Sequence, residues 1–173
     1  MRIFHPSLLA LLAAAWLPVH AQQGPTDPQI AAIVVTANQV DVDAGKLAKV
    51  KSQSKDVRQF ADQMVTDHSA VNQQATALVT KLKVTPEASD TSRSLQKGGD
   101  ENIARLKQLK ASEFDRAYVD QEVSYHQAVL DAIDKTLVPS AKNAELKELL
   151  LKVRPAIAAH LEHARHLQAQ LGK

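Results

Sequence analysis

The sequence contains no cysteine, which removes disulfide staples, lipid attachment at a cysteine, and haem or redox motifs built on thiols. It contains no phosphate-binding glycine loop, no serine-centred nucleophile elbow and no His-Glu-x-x-His pair, so the common hydrolases and nucleotide enzymes are disfavoured. Nothing in the motif inventory calls for an enzyme. Aromatic residues make up only 3 % of the chain, whereas Ala, Leu, Val, Lys and Gln are abundant, a composition suited to helical bundles. Neither charge sign dominates: 21 Lys and Arg stand against 19 Asp and Glu, interspersed rather than blocked. Nucleic acid is therefore not an expected partner. Beyond the N-terminal stretch there is no long apolar run, so no stable membrane span is expected in the mature chain.

The N-terminal stretch itself is informative. Arg2, an apolar run from Leu8 to Leu17, Pro18 and the tripeptide Val19-His20-Ala21 form the charged, apolar and cleavage regions of a secretory signal, with the cut expected after Ala21. The expected organisation is a signal peptide at 1–21, a linker at 22–27 and one bundle domain at 28–171, delivered to the periplasm or secreted. Without disulfides, the apolar core must stabilise the mature chain, and ~150 residues suffice to bury one.

Periodicity predicts four long helices. Asp27 and Pro28 are expected to open the first, with Ile30, Val34, Ala37, Asp41, Ala44 and Ala48 on one stripe and Gly45 permitting close approach. Ser54 caps the second, whose stripe is Phe60, Met64, His68, Val71, Ala75, Leu78 and Leu82. The third is expected from Ser112, paired with Asp115, to about Leu137 before Pro139, with Val119, Val123, His126, Leu130 and Ile133 inward. The fourth runs from near Ser140 to Leu171 through Leu146, Leu150, Val153, Ile157, His160, Ala164 and Leu167. Pro155 should kink it and free the carbonyl of Leu151.

Residues 84–111 form the connection, expected as two helical stretches broken at Gly98-Gly99. It either runs the full height of the bundle, as in ferritin-like folds, or folds back as two short antiparallel helices.

Each helix thus carries one polar residue on its apolar stripe: Asp41, His68, His126 and His160. All four fall in the middle third of a bundle at ~1.5 Å per residue. Three imidazoles and a carboxylate suit a divalent transition metal such as zinc, iron, copper or manganese. Asp67, Glu122, Tyr125 and His163 flank the same seams as spare ligands or supporting partners. Two further readings stand beside the metal site: a structural hydrogen-bond network of the same residues, and a bundle that presents a helical face to an envelope protein or to a second copy of itself. His163 and His166 follow His160 at steps of three, so they fan around the helix and cannot share one metal with it.

The segments Ala44-Gly45-Lys46-Leu47-Ala48, Met64-Val65-Thr66-Asp67-His68, Phe114-Asp115-Arg116-Ala117-Tyr118-Val119 and Arg154-Pro155 followed by His160-Leu161 resemble domain-of-unknown-function family 4142 over residues 28–169. The resemblance implies an exported bacterial protein with a ferritin-like fold and motif histidines at His68, His126 and His160, with Asp67 in the same block. It does not imply ferritin chemistry. Di-iron bundles use Glu-x-x-His pairs, and this sequence contains none.

Overall fold

The computed structural model describes residues 24–172, so the expected signal peptide at 1–21 lies outside the described residues. The chain forms α1 (Asp27–Lys51), α2 (Lys55–Leu82), α3 (Asp90–Gln108), α4 (Ala111–Ala132) and α5 (Ala144–Leu171). A π-helical turn, Ile133–Leu137, and a last α-helical turn, Val138–Ser140, continue α4.

Contacts at the helix ends fix the topology. Glu87 N–H donates to the Pro28 carbonyl at 3.0 Å, which puts the end of α2 beside the start of α1. Lys51 Nζ donates to the Leu106 carbonyl at 3.0 Å and also to that of Lys107, so α3 ends where α1 ends. The Asp27 carboxylate accepts the Lys142 and Asn143 N–H groups at 2.8 and 2.9 Å, bringing the α4–α5 turn back to the start of α1. Helices α1 and α5 therefore run one way and α2 and α4 the other. Helix α3 is the full-height crossover between the antiparallel pairs, the ferritin-like arrangement.

The expected break at Gly98-Gly99 is absent: α3 is continuous through both glycines. A Cβ on Gly99 would lie 2.7 Å from Val40 Cγ2. That glycine serves close packing of α3 on α1 rather than a turn. Gly45 acts in the same way between α1 and α2, where a Cβ would stand 2.9 Å from Val65 Cγ2 and 3.0 Å from the Ala61 carbonyl oxygen.

Three helix starts differ from expectation. Thr26, not Asp27, caps α1 through a capping box with Gln29, because Asp27 is engaged by the α4–α5 turn. Helix α4 begins at Ala111 without a side-chain cap, and Asp115 is buried rather than placed at the helix mouth. Helix α5 begins at Ala144, where Asn143 accepts two backbone N–H groups, while Ser140 closes the preceding helix. That preceding helix passes through Pro139 because the wider π turn comes immediately before it. A proline ring collides with the carbonyl four residues back in an α-helix, and a π turn opens the spacing. Pro155 is accommodated on the exposed side of α5, and the helix continues through it.

The interior holds two apolar clusters. One, toward the start of α1, includes Ile30, Ile33, Leu130, Ile133, Leu150 and Ile157. The other, toward its end, includes Ala48, Phe60, Met64, Phe114, Tyr118 and Leu167. A layer of polar residues lies between them.

Candidate metal centre

The helical stripes bring Asp41 from α1, His68 from α2, Glu122 and His126 from α4, and His160 from α5 into that layer. All five are buried, none more than 4 % exposed. The three imidazole rings form a near-equilateral triangle, with centroids 5.6 Å apart for His68–His126, 5.3 Å for His68–His160 and 5.4 Å for His126–His160.

Each ring is held from outside through one nitrogen. His68 Nδ1 lies 2.7 Å from Asn38 Oδ1, and Asn38 is oriented by its own Nδ2 donating to the Val34 carbonyl at 2.8 Å. His126 Nδ1 lies 2.9 Å from the Glu122 carbonyl oxygen. His160 Nε2 lies 2.8 Å from Asp67 Oδ2. An amide oxygen, a backbone carbonyl and a carboxylate are all acceptors, so in each case the ring nitrogen carries the hydrogen and donates it. The opposite nitrogen of each neutral ring then carries a lone pair. These are the roles second partners play when they orient histidine ligands.

The opposite nitrogens, His68 Nε2, His126 Nε2 and His160 Nδ1, are buried and have no hydrogen-bond partner. Both oxygens of Asp41 and one of Glu122 are in the same condition. Asp41 Oδ2 stands 2.9 Å from His68 Nε2 and 3.4 Å from His126 Nε2, close but without the alignment of a hydrogen bond. Lone pairs crowded together in this way, inside a core, are costly unless something positive lies between them. Donor atoms of the three histidines all fall within 4.8 Å of one another. Tetrahedral coordination at bond lengths of ~2.0–2.1 Å sets donors roughly 3.3 Å apart, inside that spread. The residues therefore fit a metal ion.

The electrostatics separate the two buried carboxyl groups. Burial pushes the Glu122 carboxyl well above the ordinary range, and the neighbouring Asp41 charge pushes it further. Burial acts in the same direction on Asp41, but the attraction of His68, and then of His126, outweighs it and leaves its pKa lowered. The two carboxyl groups are thus pushed apart in acidity, Asp41 being the stronger acid and Glu122 the weaker. Burial also lowers the pKa of His126 and of His160, against the pull of their acidic neighbours. A lowered pKa favours the neutral, ligating form of His126 and of His160.

Of the residues singled out from sequence, Asp41, His68, His126, His160 and Glu122 meet in one layer. Asp67 is placed outside it, half-exposed, as the partner of the His160 outer nitrogen. Tyr125 donates its hydroxyl to the Ala37 carbonyl at 2.9 Å, so it is committed to the backbone. Its pKa is raised by burial and then by Asp41 and Glu122. His163 turns away, edge-on to Phe60 at 5.0 Å and beside Gln63, and His166 faces Gln170 on the surface. Sequence reasoning missed Asn38. Its place one turn before Asp41 on the same face of α1 was the available signal.

A ferritin-like bundle with a buried three-histidine layer is the class that fold and site define. The chain belongs to the DUF4142 family, whose model, a domain of unknown function, matches residues 15–167. No curated protein matches the sequence. Two solved structures share the fold. One is a DUF305 protein from Streptomyces coelicolor, 12 % identical, with a TM-score of 0.69 over 83 % of this chain and 92 % of that one. The other is CopM in its Cu(II)-bound form, 13 % identical, with a TM-score of 0.68 over 86 % of this chain and 99 % of that one. At such identities the likeness concerns the fold. Among the described residues no helix is long and apolar enough to cross a membrane.

Proposed function

We propose that this protein is an exported metal-binding bundle that holds one divalent transition ion through His68 Nε2, His126 Nε2, His160 Nδ1 and the Asp41 carboxylate. The observation that carries the reading is the convergence of three buried, partnerless ring nitrogens from three helices, each fixed by an acceptor on its far side. A purely structural network would engage the inner nitrogens as well as the outer ones. The structural neighbour CopM is a Cu(II)-bound protein, which agrees in kind. Among first-row ions, a site of imidazoles and a carboxylate holds copper(II) most tightly and zinc(II) or iron(II) less so. Glu122 supplies a second, weaker acid beside Asp41, and Asp67 and Asn38 set the tautomers of two rings. Export rests on the sequence of residues 1–21, and with it a role in holding or carrying metal in the periplasm or outside the cell.

An interaction module finds less support. Among the described residues the exposed large apolar side chains are Val50, at the end of α1, and Leu151, on α5. They lie toward opposite ends of the bundle and make no patch.

Elemental analysis of protein purified from periplasm without an affinity tag tests the proposal. About one equivalent of a single transition metal is expected, falling below about a tenth in folded His126→Gln and His68→Gln variants, since each ligand lost weakens the site steeply. Metal-free wild-type protein that shows no thermal shift with copper, zinc or iron would reject it.

A further inference from the structure

Two spaces lead from the surface toward the polar layer, and they differ in lining. One is a cavity of about 310 Å³ beside the π turn, walled mainly by aliphatic side chains such as Ile33, Ile133 and Ile157, with Ala37, Ala128 and Ala132 leaving it room. Thr136 stands exposed at its mouth. The other is a cleft of about 550 Å³ between α3 and α4, with Val40, Asp41 and Ala44 of α1 beneath it. Ser94 on α3 and Gln121 on α4 bring a hydroxyl and an amide to its walls. At the start of α3 the Asp90 carboxylate on the rim is paired with Arg93 at 2.6 Å.

Gly98 also borders the cleft and is exposed. A glycine in the middle of a helix weakens it relative to alanine, and packing does not explain this one. Whereas a Cβ on Gly99 would strike Val40, a Cβ on Gly98 would meet nothing within 4 Å. Its effect is to leave bare backbone on the α3 wall, so no side chain narrows the cleft there.

No histidine borders the cleft; its inner end is formed by Glu122 and Asp41. Glu122 Oε2 is buried without a partner and stands 3.4 Å from His126 Nδ1. Both Asp41 oxygens are buried as well. The two carboxyl groups therefore close the cleft off from the imidazoles. Glu122 has the longer side chain, with one more rotatable bond than Asp41, and is the part able to turn outward.

We propose that the α3–α4 cleft is the path by which a divalent transition ion reaches the layer, with Glu122 the last side chain it passes. The proposal rests on the metal reading above and adds the route. A doubly charged ion gives up water at bearable cost only where protein oxygens replace it, and an aliphatic wall offers none. The cleft supplies oxygens from Ser94, Gln121 and Glu122, whereas the wall of the cavity is mainly aliphatic.

The absence of cysteine makes the route testable, because a single introduced thiol is the only site a thiol reagent can label. Ser94→Cys puts it in the cleft and Thr136→Cys at the mouth of the cavity. Protein purified from periplasm is stripped of metal, labelled with the neutral reagent benzyl methanethiosulfonate and mixed rapidly with copper(II). Loss of tyrosine fluorescence follows uptake, since the Tyr125 ring lies 6.2 Å from that of His126. The label on Ser94→Cys should slow uptake by about tenfold or more, with the rate restored when reductant removes it. Metal content at equilibrium should stay that of the wild type, and the label on Thr136→Cys should leave the rate unchanged. If circular dichroism shows Ser94→Cys unfolded, Gly98→Cys takes its place. Glu122→Gln, which keeps the shape and removes the ionisable oxygen, should slow uptake as well. Equal rates with and without the label in the cleft, or slowing only by the label on Thr136→Cys, overturn the path. A folded Glu122→Gln variant with the wild-type rate removes Glu122 from it. In each of these cases an undiminished metal content leaves the metal centre standing, whereas a wild-type chain that takes up no copper rejects the centre and the path together.

Discussion

The two halves of the bundle interior, on either side of the polar layer, are built differently. Toward the end of α1, Val57, Phe60, Ala61, Met64, Leu106, Phe114 and Tyr118 are each 0 % exposed. Phe60 and Phe114 each sit 6.3 Å from Tyr118 by ring centroid, one edge-on and one stacked. Toward the start of α1 the side chains are mainly aliphatic, several retain slight exposure, and a cavity penetrates to the histidines. The first half is a dense anchor that holds the helices in register. The second gives up packing for space beside the site. Close packing and access are therefore segregated along the bundle axis, with the candidate ligands at the boundary.

Mutations in the two halves should separate accordingly. Phe60→Ala in the dense half is expected to lower unfolding free energy by about 3–5 kcal/mol in urea titration. A cost below ~1 kcal/mol would mean that half is not the anchor. Gly99→Val should force α3 off Val40 and cost about 1–3 kcal/mol, without changing metal content, since α3 supplies no candidate ligand.

Acidity gives a subtler test. The folded-state pKa values of His126 and His160 are lowered from 6.5, chiefly by burial. The unfolded chain therefore binds more protons just below that value, and stability of the metal-free protein should fall as pH drops from 7 toward 5. The slope approaches about 1.4 kcal/mol per pH unit for each proton taken up. Glu122 has the opposite sign: its raised folded pKa, from burial and then Asp41, contributes stability below 4.5 that is lost as pH rises. Glu122→Gln should thus relieve a penalty that grows as pH rises above 4.5 and leave the histidine slope on the acid side steeper. A metal-free protein with stability flat between pH 7 and 5 would contradict the burial of neutral imidazoles.

The smallest effect expected is that of Ala132→Phe on stability. Filling existing space should change unfolding free energy by no more than about 1 kcal/mol, whereas the same enlargement in a packed core typically costs ~1–3 kcal/mol. A large loss on thermal or urea unfolding would show that the two halves are packed alike.

Much of this organisation was legible in the sequence because helical periodicity converts spacing directly into a face. Asp41, His68, His126 and His160 each interrupt an apolar stripe of period 3.6, and that placed them inward. What periodicity could not supply was anything decided between helices. Gly98-Gly99 reads as a break, but Gly99 is instead a contact point for Val40. Asn38 was overlooked because its importance depends on the His68 ring from another helix. The cap of α1 shifted because Asp27 is claimed by a turn more than a hundred residues away. The cavity was hidden for the same reason: Ala37 on α1 and Ala128 and Ala132 on α4 look like ordinary helix formers until they are seen to line one space.

The most direct measurement is X-ray absorption on zinc- or copper-loaded protein. A first shell with three imidazole nitrogens and one oxygen at ~2.0–2.1 Å is predicted, with one imidazole lost in His160→Gln. A shell containing at most one imidazole, or one unaltered by that substitution, would contradict a metal centre formed by His68, His126 and His160.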